Sequence, residues 1–281
     1  MYATEVPVED LTYGLVTLVL AFLMAVVGSA LGLRCTVRAL TLDRGRRAGW
    51  LALGAISIGT GIFTMHFIAM MGFTVATLSI TYDLAITYAS LGVAIGVVGI
   101  GVFLVGYAPR GNLTLATGGL ITGLGVACMH YLGMAGMQMS GTLHYDPVVV
   151  ALSVVIAVVA ATVALWFAIS VRGFAASLGA SAIMGVAVTG MHYTGMAAVS
   201  VHSHSEVVTG GHARIEILMP ALVVPLLLLV FAGLFVGLDP MTTQDIHQRI
   251  NPADRAPGGG PGPSDRSGTT PRAAAGPGAV R

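Results

Sequence analysis

Three copies of one short string carry the residue types in this sequence that are best suited to binding a metal. Each copy has methionine, histidine and an aromatic residue in succession, with a second methionine four positions after the histidine. The copies are centred on His66, His130 and His192, which lie 64 and 62 residues apart. Imidazole nitrogen binds several transition metals, and thioether sulfur favours reduced copper. The repeated string therefore predicts a copper centre built from equivalent parts of the chain.

The candidate ligands are the histidines and methionines that occupy matching places in the three copies. They are Met65, His66 and Met70 in the first copy, Met129, His130 and Met134 in the second, and Met191, His192 and Met196 in the third. Within each copy the histidine and the second methionine are four residues apart, so they share one face of a helix. A methionine alone commonly fills apolar cores, and one histidine in a membrane can simply be hydrogen-bonded to a neighbouring helix. Threefold recurrence at the same spacing favours a ligand role.

Long apolar segments must position these side chains. Of the 281 residues, 56% are hydrophobic and only 9% are charged, whereas soluble domains carry about 25% charged residues. A membrane helix takes about 20 residues, and seven segments reach that length, at 11–33, 49–72, 84–107, 113–137, 147–171, 175–199 and 218–238. The composition and the segment lengths predict an all-α membrane protein, a bundle of seven transmembrane helices spanning residues 11–239.

The orientation of the bundle follows from arginine, which is the only basic residue type in the sequence besides histidine. Cytoplasmic loops carry an excess of positive residues. The first, third and fifth loops hold Arg34, Arg38, Arg44, Arg46, Arg47, Arg110 and Arg172, whereas the second and fourth hold none and the sixth holds Arg214. The pattern predicts an extracytoplasmic N-terminus, residues 1–10, and a cytoplasmic C-terminus. Residues 240–281, rich in proline and glycine, are expected to form a disordered cytoplasmic tail.

The three strings share one depth in this topology. They fall near the ends of the second, fourth and sixth segments, which all run from inside to outside, and His66 is expected roughly 10 Å below the outer edge. Asp10, Asp83 and Asp146 each precede an odd-numbered segment, where a carboxylate can cap the free backbone N–H groups of a helix. We therefore expect one ligand layer in the outer half of the bilayer, with capped helix ends above it.

The string Met191-His192-Tyr193-Thr194 and its relatives at 65–68 and 129–132, set in seven apolar segments, resemble the MHYT family of bacterial integral membrane sensor domains. The resemblance covers about residues 11–240. It implies copper bound through the methionine, histidine and tyrosine positions, which adds Tyr131 and Tyr193 as possible metal or hydrogen-bonding groups, and it implies sensing of a diatomic gas such as O2, CO or NO. The first copy departs from the pattern because Phe67 replaces tyrosine and has no ligand atom.

Members of that family often carry cyclic-di-GMP synthesis or hydrolysis domains after the membrane part. The tail at 240–281 shows no such signature, so we expect no enzymatic activity and an unknown cytoplasmic signalling partner. The lipid bilayer of the inner or plasma membrane is the expected surrounding, and a net charge of +1 gives no indication of a nucleic-acid partner.

Three other functions fit the same residues. The ligand layer could serve copper handling or transport, the histidines could be axial ligands of a haem, or they could be hydrogen-bonded structural groups. A loop with His202, His204, Glu206 and His212 on the outer side, together with His144, offers further imidazoles that could bind a metal, but a solvated loop is the favoured interpretation.

Overall fold

The computed structural model describes residues 4–75, 78–109, 111–203 and 215–238. Each of the seven predicted segments corresponds to a helix: α1 Leu15–Leu40, α2 Arg44–Met71, α3 Leu84–Tyr107, α4 Asn112–Ala135, α5 Pro147–Ser170, α6 Phe174–Met196 and α7 Ile215–Gly237. Helices α1 to α6 are long and apolar enough to cross a membrane, whereas the apolar stretch of α7, Ala221–Gly237, is shorter. The predicted disorder of residues 240–281 lies outside the described residues.

The first six helices form a closed ring. Each packs against its neighbours in the chain, and α6 completes the ring by packing against α1. Helix α7 packs outside the ring, mainly on α2, where the rings of Trp50 and Phe235 are 5.4 Å apart. The hairpins α1–α2, α3–α4 and α5–α6 are therefore arranged around an approximate threefold axis, as the period of the strings predicts, and α7 breaks that symmetry.

Glycines let neighbouring helices of the ring approach closely. A Cβ built on Gly28 of α1 would lie 2.6 Å from the Cα of Gly61 on α2, and a Cβ on Gly123 of α4 would lie 2.4 Å from the Cα of Val158 on α5. Backbones this close maximise van der Waals contact, which drives helix association where no hydrophobic effect operates. The ring is thus tight enough to hold side chains at its axis in fixed positions.

One end of the bundle, here called the arginine end, carries all the arginines that the structure describes. The predicted first loop is wrong in extent, because α1 continues past residue 33 to Leu40 and only residues 41–43 connect it to α2. Arg34 and Arg38 lie within α1, with their guanidinium carbons 5.5 Å and 5.9 Å from the rings of Phe174 and Trp50. A long arginine stem lies along apolar surface while its charge rests over an aromatic face. Such contacts allow the helix to extend beyond its apolar segment.

The opposite end, here called the strand end, has short strands that the sequence pattern did not predict. They are β1 Thr4–Val6, β2 Val8–Glu9, β3 Thr74–Val75, β4 Thr81–Tyr82, β5 Met137–Gln138, β6 Gly141–Tyr145 and β7 Val199–Ser203. They form three antiparallel sheets, ordered β1-β7-β6, β2-β3 and β4-β5. Their buried side chains and those of the adjoining turns form an apolar lid over the helix ends, made by Phe73, Val75, Leu78, Ile80, Tyr82, Met137, Val199 and Val201.

Two of the three predicted caps are confirmed at this end. Asp83 accepts a hydrogen bond from the backbone N–H of Ile86 at 3.0 Å, and Asp146 accepts bonds from the first N–H groups of α5 at 2.8 and 3.2 Å. The prediction for Asp10 is wrong, because α1 begins at Leu15 and Gly14 occupies its N-cap position. The buried Oδ1 atom of Asp10 has no hydrogen-bond partner.

Candidate metal centre

The three histidines of the repeated string meet on the axis of the ring. The Nδ1 atom of His66 lies 3.1 Å from that of His192 and 3.2 Å from that of His130, and the Nδ1 atoms of His130 and His192 are 3.2 Å apart. The imidazole planes stand at 78° to 89° to one another. Each side chain is only 1% exposed. The predicted ligand layer is thus a closed triangle of three nitrogens, one from each of α2, α4 and α6.

The position of each histidine in its helix explains this convergence. Each lies four or five residues before the last residue of its helix, which corresponds to about 6–8 Å of helix length and places the three at a common depth near the strand end. The threefold arrangement of the hairpins turns the equivalent faces of α2, α4 and α6 toward the axis. Equal depth and equal orientation bring together residues that are more than 60 positions apart in the chain.

The triangle has the size that a metal ion requires. A point equidistant from the three Nδ1 atoms lies about 1.8 Å from each, close to the bond length of about 2.0 Å between zinc and imidazole nitrogen. Neutral imidazoles that turn three Nδ1 atoms inward cannot all satisfy one another with hydrogen bonds, since each neutral ring carries one N–H. More than one imidazolium here would place like charges about 3 Å apart in a buried site, which is costly. A metal cation satisfies three nitrogens at once, so the residues present fit a bound metal.

Two of the three imidazole rings pack directly against a glycine. A Cβ built on Gly133 of α4 would lie 2.5 Å from Nε2 of His66, and a Cβ built on Gly195 of α6 would lie 2.5 Å from Nε2 of His130. Each glycine is the third residue after the histidine of its own copy, whereas the first copy has Ala69 at this place. At Gly133 and Gly195 a side chain would meet the neighbouring imidazole, whereas the equivalent position of the first copy accommodates the Cβ of Ala69. The sequence contains this signal, a glycine directly before the second methionine, but it was not used in the prediction.

The methionines of the string lie in layers on either side of the histidines. The second methionines, Met70, Met134 and Met196, are all buried in the same apolar cluster as the lid. Of the first methionines, Met129 and Met191 belong to a cluster that extends toward the arginine end, here called the inner apolar cluster, with Ala55, Ile62, Ala94, Val98, Val102, Val126, Ala157 and Leu165. Met65 packs with Ala21 and Ala25 of α1. Apolar side chains thus enclose the triangle along the axis in both directions, and thioether ligation by any of the six stays a prediction.

The aromatic residues of the three copies lie in three different environments. The hydroxyl of Tyr131 is 2.6 Å from Oγ of Ser153 on α5, whereas the hydroxyl of Tyr193 is buried without a hydrogen-bond partner. Phe67 packs in the lid cluster, with its ring 6.1 Å from that of Tyr82. Burial raises the pKa of the Tyr82 phenol above its ordinary value. Tyr131 is therefore placed as a hydrogen-bonding group between helices.

The surface histidines make a smaller group. The rings of His144 on β6 and His202 on β7 are 4.5 Å apart at the strand end. His204, Glu206 and His212 lie outside the described residues. Among the residues that are described, the triangle is the one group of three or more histidines, cysteines or carboxylates whose ligand atoms converge closely enough for a metal.

A family model described as "MHYT: Bacterial signalling protein N terminal repeat" matches the chain three times, at residues 59–118, 123–181 and 185–246. Each match contains one histidine of the triangle, and the matches begin a few residues before each string. The repeat that the sequence pattern predicts is therefore the repeat of this family. No solved structure matches the chain.

Curated relatives share the same region. The bifunctional diguanylate cyclase/cyclic di-GMP phosphodiesterase MucR of Pseudomonas aeruginosa is 39% identical over 193 residues, which cover 66% of this chain and 28% of MucR. The cyclic di-GMP phosphodiesterase NbdA of the same organism is 35% identical over 205 residues, or 68% of this chain and 25% of NbdA. The signaling protein YkoW of Bacillus subtilis is 30% identical over 213 residues, or 70% of this chain and 26% of YkoW.

The chain thus spans about a quarter of the length of these relatives. The shared part is the region of apolar helices that carries the repeats. From the three repeat matches, and from the histidines that they bring together, it follows that this chain belongs to the MHYT family of bacterial signalling proteins.

Proposed function

We propose that this chain is a membrane sensor in which His66, His130 and His192 hold a copper ion, and that a diatomic gas (O2, CO or NO) or a change of redox state at that centre is its signal. The observation that carries the proposal is the closed triangle of buried Nδ1 atoms. Copper would supply a redox-active position with affinity for soft ligands. The methionine layers on either side favour the reduced ion over harder metals.

An apolar cavity beside the triangle supports a small apolar signal molecule. It has a volume of about 50 Å³, lies within the ring, and is lined by Ile62, Val98, Val126, Leu165 and Met191 among others. Apolar cavities of this kind exclude water while accepting small apolar molecules. Met191, which directly precedes His192, lines the cavity, although none of the three histidines does. We propose that a gas molecule held in this cavity reaches the triangle past Met191.

The helices that carry the three histidines connect the triangle to the arginine end. The three ligand side chains come from three separate helices that run the length of the bundle, so a change in the spacing of the imidazoles moves α2, α4 and α6 relative to one another. Those helices begin at the arginine end, which the arginine distribution predicts to face the cytoplasm. We propose that a cytoplasmic signalling partner responds to this movement, and that α7, packed on α2, contributes the seventh membrane crossing.

Sensing is favoured over transport by the inner apolar cluster. A transported cation needs polar groups along its path, and the cavity between the triangle and the arginine end is lined mainly by apolar side chains, with Ser29 and Thr122 as the polar exceptions. Thr60, Thr64 and Thr189 add buried hydroxyls on α2 and α6 that have no hydrogen-bond partner, so uptake has to be measured directly. The hydroxyls of Ser57 and Ser181 are engaged with carbonyl oxygens of their own helices at 2.8 Å and 2.7 Å. Uptake of radioactive copper into sealed vesicles separates the two functions, and accumulation above that of empty vesicles would favour transport.

The activities named for the relatives belong to whole proteins about four times as long as the matched region. We propose that the region shared with this chain receives the signal and has no enzymatic activity itself. Purified protein is then expected to leave GTP and cyclic di-GMP unchanged.

The experiment that tests the proposal is metal analysis of detergent-purified protein by mass spectrometry after expression with copper present. Wild-type protein is expected to contain close to one copper per chain. A variant with His66, His130 and His192 all replaced by Ala should contain none, whereas a variant with His144→Ala and His202→Ala should keep it.

The contrary outcomes are equally clear. Folded wild-type protein that takes up no copper, even when supplied with Cu(I), would exclude the copper centre. A Soret band in the purified protein would identify a haem instead. Copper lost only from the surface-histidine variant would place the metal at the strand-end sheet.

A further inference from the structure

Glycines tighten five of the six interfaces of the ring. A Cβ built on one glycine at each of these interfaces would lie less than 3.0 Å from an atom of the neighbouring helix. The five are Gly28 at α1–α2, Gly59 at α2–α3, Gly125 at α3–α4, Gly123 at α4–α5 and Gly185 at α6–α1. Helix α5 contains no glycine, and the glycines of α6 face α1, His130 of α4 or open space. Among the described residues, the α5–α6 interface is therefore the one that no glycine tightens.

A groove lies on the outside of the bundle at the α5–α6 interface. Val155 and Val159 of α5 and Ile183 of α6 line it, and their side chains are 54% to 57% exposed. All the residues that line the groove are apolar, and they lie near the middle of both helices. The middle of a transmembrane helix lies in the hydrocarbon core of the bilayer, so lipid acyl chains occupy this groove.

Ala160 and Met184 line both this groove and the cavity inside the ring. Met184 is 6% exposed, and Ala160 is half-buried. The wall between the lipid and the cavity is thus a single layer of side chains at this point. Methionine is unbranched and has three rotatable bonds, so the side chain of Met184 can change its rotamer without movement of the backbone. We call these two residues the gate.

The cavity leads from the gate toward the triangle. On α6 it is lined by Met184, Val188 and Met191, which share one face of the helix and span about 10 Å along its axis. On α5 the lining consists largely of alanines, whose short side chains leave the space open: Ala157, Ala160, Ala161, Ala164 and Ala168. A small molecule that passes the gate therefore has a largely apolar space before it as far as Met191, the residue next to His192.

The lipid core is the phase in which the proposed signal molecules are most concentrated. O2, CO and NO have little or no polarity, and apolar molecules move favourably from water into hydrocarbon. The groove offers no polar side chain to water or to ions, and the lid covers the helix ends at the strand end with packed apolar side chains. An entrance from the side at the gate would therefore admit a gas and exclude charged molecules.

We propose that Ala160 and Met184 form a gate through which a diatomic gas enters the cavity from the lipid core, and that rotation of the Met184 side chain opens this gate. The small side chain of Ala160 keeps the passage beside Met184 wide. The inference rests on the proposed function in one respect, because it takes the triangle as the destination of the gas.

The first test is the rate at which copper-loaded protein binds CO, followed through the infrared band of the C–O bond. Ala160→Phe adds bulk at the gate and should bind CO at least tenfold more slowly than wild type. Met184→Ala removes the side chain that closes the gate and should bind CO at least threefold faster. Both variants keep the three histidines and should bind the wild-type amount of CO at saturation.

The matched control is Val186→Phe, which adds the same ring to α6 at a side chain that is 63% exposed and lines neither the groove nor the cavity. It should bind CO at the wild-type rate. A wild-type rate in either gate variant would overturn the proposal. Equal slowing in Ala160→Phe and Val186→Phe would also overturn it, because the effect would then not depend on the gate.

The second test uses xenon, which binds apolar cavities in proteins and needs no copper. In copper-free protein with isotope-labelled methionine methyl groups, rising xenon pressure should shift the resonances of Met184 and Met191 to a plateau. The resonances of Met134 and Met196, which lie in the lid cluster, should stay unchanged. Exchange of hyperpolarised xenon into the cavity, measured by saturation transfer, should be at least tenfold slower in Ala160→Phe than in Val186→Phe. No shift at Met184 and Met191, or equal exchange in the two variants, would overturn the gate.

The two tests separate the two proposals. If wild-type protein binds neither copper nor CO, the proposed function fails, and xenon exchange still decides whether small apolar molecules enter between α5 and α6. If CO binds but neither its rate nor xenon exchange depends on residues 160 and 184, the metal centre stands and the gate is rejected. Elution of each variant as a monodisperse peak in size-exclusion chromatography establishes that it is folded.

Discussion

Gly195→Ala tests whether the histidine triangle depends on the glycine on which one of its rings rests. The added Cβ would lie 2.5 Å from Nε2 of His130, whereas real contacts of this kind are rarely shorter than 3.4 Å. The ring of His130 must therefore move by about 0.9 Å, which exceeds the tolerance of about 0.2 Å for a metal-ligand distance. The variant should bind copper roughly 10–100-fold more weakly, the range found when groups that orient metal ligands are changed.

Competition with a coloured Cu(I) chelator measures this affinity in detergent. The matched control is Gly190→Ala in the same helix, because a Cβ at Gly190 meets nothing within 4 Å, and its copper affinity should equal that of the wild type. Wild-type affinity in the folded Gly195→Ala variant would refute the reasoning, since it would mean that the Nδ1 triangle can be distorted without loss of the metal. Weakened binding in both variants would point to a general effect of substitution in α6.

Three further predictions concern stability. Ser153→Ala removes the 2.6 Å hydrogen bond of Tyr131. It should lower the free energy of unfolding by about 1 kcal/mol and leave the copper content unchanged. Loss of copper would show that Tyr131 acts on the metal centre. Gly28→Ala places a Cβ 2.6 Å from the backbone of α2 and should destabilise the protein by about 1–3 kcal/mol. Its control is Gly92→Ala, whose Cβ lies in open space and should leave stability unchanged. Thermal unfolding of both variants measures the difference. Burial raises the pKa of Asp10, so the contribution of Asp10 to stability is fully present below its unfolded pKa of about 3.9 and is lost as the pH rises through its folded pKa. Asp10→Asn should therefore raise the melting temperature at pH 7 but not at pH 3.5. An equal change of melting temperature at both pH values would contradict this.

The architecture of the centre was accessible from the sequence because it rests on periodicity. The period of 64 and 62 residues predicts equivalent hairpins, and equal distance from the helix ends predicts a common depth for His66, His130 and His192. Both expectations agree with the observed triangle. Helix length and apolar composition also sufficed to locate the seven helices to within a few residues, apart from the extension of α1.

Other features depend on contacts that a sequence pattern does not encode. Strands of two to five residues are too short for an alternating pattern to stand out, so the lid was not predicted. The separation of Met70 and Met65 into different apolar clusters depends on which helices flank each face. The failure of Asp10 to cap α1, although Asp83 and Asp146 cap their helices, arises because the chain continues to Gly14 before the first helix begins.

The approximate threefold axis has a consequence for how such a centre can change. In an assembly of three identical hairpins, any substitution would occur at all three interfaces between hairpins. A single chain has no such constraint, and the three aromatic positions differ: Phe67 has no polar atom, the hydroxyl of Tyr131 bonds to Ser153, and the hydroxyl of Tyr193 has no hydrogen-bond partner. The histidines at the axis remain equivalent because all three contribute to the same point. A single chain can thus keep three equivalent histidine ligands while the residues at the three interfaces around them differ.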